Sequence, residues 1–445
     1  MTEARRRIWG WWFFDWASQP YNTLLLTFIF GPYITQVLGD GSRAQAVWGY
    51  GVGAAGIVIA VLSPLLGTIA DKAGGRMRFI ILFSGMYVAG AWGLWFAHPT
   101  ELNLTLVMLS FCIGLIGMEF ATTFTNAMMP DLTTHEDMGR MSGSGWAFGY
   151  LGGMVALIIM LTLLAENPAG VTLIGIEPIL GLDPAAREGT RSVGPLTAIW
   201  YALFMIPFFL WVREPVRSGL TSVRAAAATA WPDLRRNLAA LPGQRSLFNY
   251  LLSSMFYRDA LNGIYVFGGI YAAGVLGWSP IDLGIFGILG TITGALFAWL
   301  GGRADSRYGP KPVIMLTVIA LTLTTIGIVF VSREAVMGLP VGPDSRLPDI
   351  AFYILGALIG AAGGAMQSAS RTMMVRQAHP DRMTEGFGMY ALTGKATSFL
   401  APLSIGITTD LTGSQQLGIL PIVVLFVIGL VLLVRVRPDG DRAAA

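Results

Sequence analysis

Twelve long apolar runs constrain this chain before any motif is read. They cover residues 8–37, 45–70, 79–97, 102–129, 142–165, 196–212, 247–276, 281–301, 312–331, 350–374, 386–410 and 415–434. A helix that crosses a bilayer needs about 20 apolar residues at 1.5 Å rise each. Inside hydrocarbon every backbone polar group must find its partner within the protein, so only helices and closed barrels cross. Barrel strands would alternate with period two in pieces of about ten residues, and the runs show no such pattern. Apolar residues make up 54% of the chain, charged ones 12%, and the mean hydropathy is +0.62. That balance excludes the soluble classes. The fold class expected is an all-α polytopic membrane protein with twelve transmembrane helices.

The net charge of +3 is small, but its placement is informative. With these spans, 21 of the 29 Lys and Arg fall on one side, and only Arg43, Arg187, Arg191, Arg333 and Arg346 fall on the other. The positive-inside rule then puts both termini in the cytoplasm, at the inner membrane of a cell, and an even number of crossings agrees. The basic surface is thus a topology signal and points to no nucleic acid. The N-terminus imitates a signal peptide, with Arg5, Arg6 and Arg7 before an apolar stretch. That stretch is too long and lacks a small-x-small cleavage site, so it reads as an uncleaved first helix. The single cysteine, Cys112, forms no internal disulfide.

Five ionisable side chains lie inside apolar runs: Asp15, Glu119, Arg258, Asp259 and Lys395. Arg371 lies just short of a sixth such position, near a cytoplasmic end where a long side chain can snorkel. A charge in the hydrocarbon is costly unless it is paired or faces water, so it marks a substrate or proton path by default. The competing reading is a set of internal salt bridges that only hold helices together.

The chain is also a duplication. At an offset of 244, Asp15 matches Asp259, His135 matches His379, and Trp146-Ala147 matches Tyr390-Ala391. At 245, Met128-Met129 matches Met373-Met374. Gly67-x-x-x-Asp71-Lys72 recurs as Gly301-x-x-x-Asp305-Ser306-Arg307 at 234. Two pseudo-symmetric six-helix halves follow, 1–212 and 247–445, joined by a basic cytoplasmic linker at 213–246. In the linker, Leu234, Leu238 and Leu241 stand at helical spacing and predict a short amphipathic helix. The region 166–195 is polar, rich in Pro and Gly, and reads as an external solvated loop.

The segment from Gly67 through Asp71, Lys72 and Arg76 to Arg78 resembles the major facilitator signature between the second and third helices. Parallel halves related by an axis along the membrane normal are that superfamily's plan. A more specific likeness rests on four segments: Phe14-Asp15-Trp16-Ala17-Ser18-Gln19-Pro20-Tyr21, Asn126 to Leu132, Gly145 to Gly153, and Tyr390-Ala391-Leu392-Thr393-Gly394-Lys395. Together they resemble the bacterial "unknown major facilitator" family, relatives of autophagy-linked vacuolar amino-acid effluxers. In one departure, Ala260 follows the seventh-helix Asp259, where the family pattern has Gly. The resemblance implies amino-acid export by alternating access. It also implies a gate at the signature loops, involving Asp71, Arg76, Asp305 and Arg307, separate from the substrate site. In this fold helices one, four, seven and ten line the cavity.

The expected substrate-binding set is therefore Asp15, Gln19, Asn22, Glu119, Asn126, Arg258, Gln367 and Arg371. Asp259, Glu119 and Lys395 are the candidates for proton coupling. Successive helical residues point about 100° apart, so only one of Arg258 and Asp259 faces the cavity, and the other pairs with a neighbour such as Lys395. Tyr21, Phe124, Trp146, Tyr150, Tyr257 and Tyr390 are candidate cavity aromatics, with Trp9, Trp11 and Trp12 as an interfacial belt. Gly145, Gly149 and Gly153, and Gly356, Gly360 and Gly364, predict close helix contacts.

Thr393-Gly394-Lys395-Ala396-Thr397 echoes a phosphate-binding loop. It fails because Met389 stands where the first Gly belongs, and Ala396 where Ser or Thr belongs. ATP hydrolysis, a cofactor and enzyme chemistry are not expected. The reading is a monomeric, proton-coupled secondary transporter of a small polar or zwitterionic solute. The alternatives are a betaine-like cation, a short peptide or a sugar as cargo, or a transport-inactive facilitator serving as an assembly factor.

Overall fold

The structure is a computed structural model that describes residues 2–38, 41–167, 169–215, 220–278, 280–342 and 344–441. Arg217 and Arg442, counted in the charge asymmetry, lie outside these residues, as does the side chain of Arg43. The described chain is almost wholly helical; the one sheet is a small antiparallel hairpin, Ala335–Val336 with Leu339–Pro340.

Nine described helices are long and apolar enough to cross a membrane on their own. The runs 8–37 and 386–410, which carry Asp15 and Lys395, are interrupted, whereas 247–276, which carries Arg258 and Asp259, is continuous. The first is an α-helix, Glu3–Pro20, a π-helical stretch, Tyr21–Phe28, and a second α-helix, Phe30–Leu38. Pro20 lacks the amide that a continuous ladder needs, and π segments gather at functional sites. The seventh run is one helix, Arg245–Leu276. The eleventh is broken into Met383–Ala396 and Leu400–Thr412.

Packing divides the chain into two compact units: Met1–Leu132 with Phe148–Ala227, and Thr133–Ala147 with Ala228–Ala445. In the first, the helices Arg76–Gly93 and Leu104–Asn126 pack together closely. Glycine admits the first helix to its neighbour. A Cβ added at Gly149 would sit 3.1 Å from the Asp15 carbonyl oxygen, and one at Gly152 would sit 2.7 Å from that of Trp16. In the second unit, Leu347–Gln377 lies against Pro280–Tyr308 through Gly356, Gly360 and Gly364, where an added Cβ would meet Phe286, Thr293 and the Gly294 backbone. Small residues of this kind let helix backbones approach without a hydrophobic drive from lipid.

Several expectations are corrected. The sixth helix begins at Glu188, before the expected 196. Its start is fixed in what reads as a solvated loop. Glu166 is buried and accepts from Arg187 Nε at 2.7 Å and from the Thr190 amide at 3.0 Å, while Arg191 donates to the Trp95 carbonyl at 2.7 Å. Trp11 is fully buried and donates to the Thr125 carbonyl at 2.9 Å, so it is a packing residue and not part of a belt. The linker forms the helix Val223–Ala240, but its buried stripe is Ala226, Ala230 and Leu234, and Leu238 is exposed.

These contacts predict that Gly364→Leu, which forces a side chain into the Gly294 backbone, sharply lowers the yield of monodisperse protein on size exclusion. Gly406→Leu, where nothing lies within 4 Å of an added Cβ, leaves the yield near wild type.

Candidate functional site

In the first unit two hydrogen bonds fix the antiparallel register of the first helix against Leu104–Asn126. Trp11 Nε1 donates to the Thr125 carbonyl at 2.9 Å, and the Tyr21 hydroxyl donates to the Phe111 carbonyl at 2.7 Å. Asp15 and Glu119 lie between these two bonds, so the carboxylates sit at similar depth. Both are half-buried, as are Gln19, Asn22 and Asn126. Asn22 lies on the π-helical stretch and Asn126 ends its helix. The unit thus brings an acidic pair and three amides onto two adjoining segments. Behind them, Tyr21 and Phe124 are fully buried. They support the wall, against the expectation that they line the cavity. Tyr87 and Tyr201 stack at 3.8 Å in the same layer, and Tyr201 shares a 2.9 Å hydrogen bond with Ser84.

In the second unit Arg258 and Asp259 turn to different neighbours, as helix geometry requires. Half-buried Arg258 donates to the Tyr390 carbonyl at 2.9 Å and stacks over that ring at 3.9 Å. Gly394 makes room for it, because an added Cβ there would lie 2.6 Å from Nη2. Asp259 is 3% exposed and does not pair with Lys395 as expected. One oxygen accepts from the Ala401 amide at 3.0 Å, in the first turn of Leu400–Thr412, and the other has no hydrogen-bond partner. A carboxylate at a helix N-terminus meets the free amides and the positive end of the dipole. Lys395 is half-buried one residue before the break.

Arg371 is also corrected. It does not snorkel but is 4% exposed. Nε donates to the Ser142 hydroxyl at 3.0 Å and Nη2 to the Ser142 carbonyl at 2.8 Å. Its guanidinium anchors the start of the helix Met138–Ile159. Gln367 lies one turn earlier on the same helix and is half-buried. Tyr257, expected in the cavity, is buried and hydrogen-bonded to the Ser370 hydroxyl at 2.8 Å.

The two copies of the loop signature differ. In the first, Arg76 is 1% exposed and reaches Asp71 and Asp131, each at 3.1 Å, and the Ala127 carbonyl at 3.2 Å. Gly74 and Gly75 take φ of +66° and +73°, which only glycine adopts cheaply. Asp131 was not among the expected site residues. Its place five residues after the helix carrying Glu119 gives no signal of a partner 55 residues away. In the second copy Asp305 is fully buried against Gly139, and neither carboxylate oxygen has a hydrogen-bond partner. Next to it, Ser306 accepts from the Arg140 amide at 2.9 Å. Arg307 is exposed.

Removing one member of a buried ion cluster strands the rest, at a cost of about 3–5 kcal/mol. Arg76→Met is therefore expected to lower thermal stability in detergent strongly. Adding Asp71→Asn and Asp131→Asn to it should restore much of that loss. An Arg76→Met protein that melts like wild type would show the cluster to be energetically idle.

Comparison with known proteins agrees with this architecture. Residues 43–445 match the family described as "Vacuole effluxer Atg22 like". A Bacillus subtilis protein named "Uncharacterized MFS-type transporter YxiO" is 25% identical over 428 residues, covering 95% of this chain and 93% of that one. Autophagy-related protein 22 of Cryptococcus neoformans is 24% identical over 315 residues, covering 69% of this chain and 52% of its own length. The chain thus spans about half the length of the fungal relatives it matches. Among solved structures, the human organic anion transporter MFSD10 aligns with a TM-score of 0.70 at 16% identity, covering 97% of this chain and 100% of that one. The major facilitator FucP in its outward conformation gives 0.70 at 14%, covering 98% and 100%. These two likenesses show the fold. The chain is a multi-pass, all-α membrane protein of the major facilitator fold, and it belongs to the Atg22-like vacuole effluxer family.

Proposed function

We propose that this protein is a secondary transporter that moves a small zwitterionic solute, an amino acid, across the membrane by alternating access, with export favoured. The observation that carries this reading is the placement of unlike charges within membrane segments, beside the interruptions after Pro20 and before Leu400. Asp15 and Glu119 share a depth on one unit, and Arg258 and Asp259 stand beside a broken helix on the other. A continuous apolar helix would be cheaper, so the breaks and charges are kept for a purpose. The family name supports the direction of transport.

In this reading Asp15 or Glu119 takes the ammonium of the cargo, with Gln19, Asn22, Asn126 and Gln367 as neutral hydrogen-bonding groups. Arg258 takes its carboxylate, since a guanidinium matches a carboxylate in a bidentate way. Arg371, already committed to Ser142, is the second choice. Asp259 carries the coupled proton. One of its oxygens is held by the Ala401 amide while the other remains available, so the helix end stays capped in both protonation states. Glu119 and Lys395 complete the coupling set. Asp71 with Arg76, and Asp305 with Arg307, form the gate. Arg258 over the Tyr390 ring favours one rival cargo, because a ring face that holds a guanidinium also suits a betaine-like cation.

Counterflow and gradient-driven flux in proteoliposomes test this. Glu119→Gln and Asp259→Asn are each expected to abolish gradient-driven flux, with one of them keeping substrate affinity. Normal flux in both variants would leave the charges as structural pairs. Flux indifferent to an imposed pH gradient would remove the proton and leave the substrate site standing. Asp71→Asn should reduce flux while binding survives.

We further propose twelve crossings in the inner membrane of a monomer, with both termini cytoplasmic. In a Cys112→Ala background, a cysteine at Arg78 should react with an impermeant maleimide only from the cytoplasmic side, and one at Glu101 only from the other. Labelling of both from the same side would refute the topology.

A further inference from the structure

A cavity lies within the second unit, at the ends of three of its helices. It has a volume of about 790 Å3 and gathers the end of Pro280–Tyr308, the start of Pro310–Val329, the end of Leu347–Gln377, and Pro438 and Asp439. Its mouth is basic and its wall apolar. Arg307, Lys311 and Arg376 supply three cations, against the rim acids Glu136 and Asp439. Below them Met315, Leu316 and Ile319 form one stripe on a membrane-spanning helix, since residues three and four apart share a face. Leu316 is 69% exposed and Ile319 is 40% exposed. The cavity is thus two-part, with a positive head region continuous with an open apolar track along a transmembrane helix.

We infer that this cavity binds an anionic phospholipid, with the phosphate among Arg307, Lys311 and Arg376 and an acyl chain along Leu316 and Ile319. The cations are arranged for it. Lys311 is anchored, its ammonium donating to the Val434 and Val436 carbonyls at 3.0 and 2.7 Å, so its charge is held in place. Arg376 spends Nη1 on Asp439 at 3.1 Å, a carboxylate 66% exposed, and its Nε is buried without a hydrogen-bond partner. Arg307 is exposed beside Tyr308, which is itself 63% exposed and placed as an interfacial aromatic. Basic pockets between transmembrane helices are a recurrent means of holding anionic headgroups. A free phosphate would use the cations but leave the apolar track uncovered, so the shape favours a lipid. This site shares Arg307 with the proposed gate, and its test reads lipid retention, which does not depend on transport.

Native mass spectrometry of the purified full chain in mixed micelles tests it, with phosphatidylglycerol and phosphatidylcholine of the same acyl chains as probes. Wild type is expected to retain phosphatidylglycerol preferentially. Arg307→Gln with Arg376→Gln should cut that preference about tenfold, and Arg307→Gln alone by a smaller factor. The single variant is at an exposed position, so it reports even where the double variant misfolds. Arg224→Gln with Arg235→Gln, on the linker helix, should keep the wild-type preference. Equal retention of the two lipids by wild type, or undiminished preference in the Arg307 variant, would overturn the inference. So would stabilisation by inorganic phosphate equal to that by phosphatidylglycerol, which would make this a soluble-anion site.

Discussion

A backbone in hydrocarbon has no water to fall back on, and this constraint governs the rest of the structure. Each interrupted helix must find partners for the amides and carbonyls that it frees. The break before Leu400 shows how this is done. The amide of Ala401 has lost its helical acceptor, and the Asp259 carboxylate, arriving from another helix, takes its place. The same contact satisfies one oxygen of an otherwise buried carboxylate. Neither group is tolerable alone, and together they allow a polar, irregular segment at membrane depth. The first run reaches a similar result by other means, widening to a π-helix after Pro20 and restarting at Phe30.

This also shows why some features were legible in the sequence and others were not. Nine apolar runs became helices able to span alone, because length and composition suffice for that. The runs holding Asp15 and Lys395 were legible as runs, but only one of their two breaks was. Proline marked one break, while nothing in Thr397-Ser398-Phe399 announces the other. The glycine contacts were legible because a four-residue spacing is a local rule. Partners distant in sequence were hidden. Asp131 with Arg76, Arg371 with Ser142, and Ala401 with Asp259 depend on helix register and packing, which a single chain does not print. Aromatic residues misled for a related reason: Trp11, Tyr21 and Tyr257 carry polar tips, and each found a buried acceptor or hydroxyl instead of an interface or a cavity.

The two signature loops show how one motif is put to two uses. In the first copy the acid has a buried guanidinium partner and forms a closed cluster. In the second the acid is buried without a hydrogen bond, and the neighbouring serine binds a helix-start amide instead. The two copies share the glycine spacing and the acid but not the partners, so the two loops are not energetically equivalent.

Asn237 on the linker helix donates to both oxygens of buried Glu385, at 2.9 and 3.1 Å, in the first turn of Met383–Ala396. That short helix is therefore held at Glu385 by the linker and at Tyr390 by Arg258, and it ends in a break just beyond Lys395. Lys395 lies ten residues from Glu385, about 15 Å along the axis, so a tilt of about 10° carries it about 3 Å sideways. Any tilt of Met383–Ala396 that followed the linker helix would therefore displace Lys395 more than the residue the linker holds.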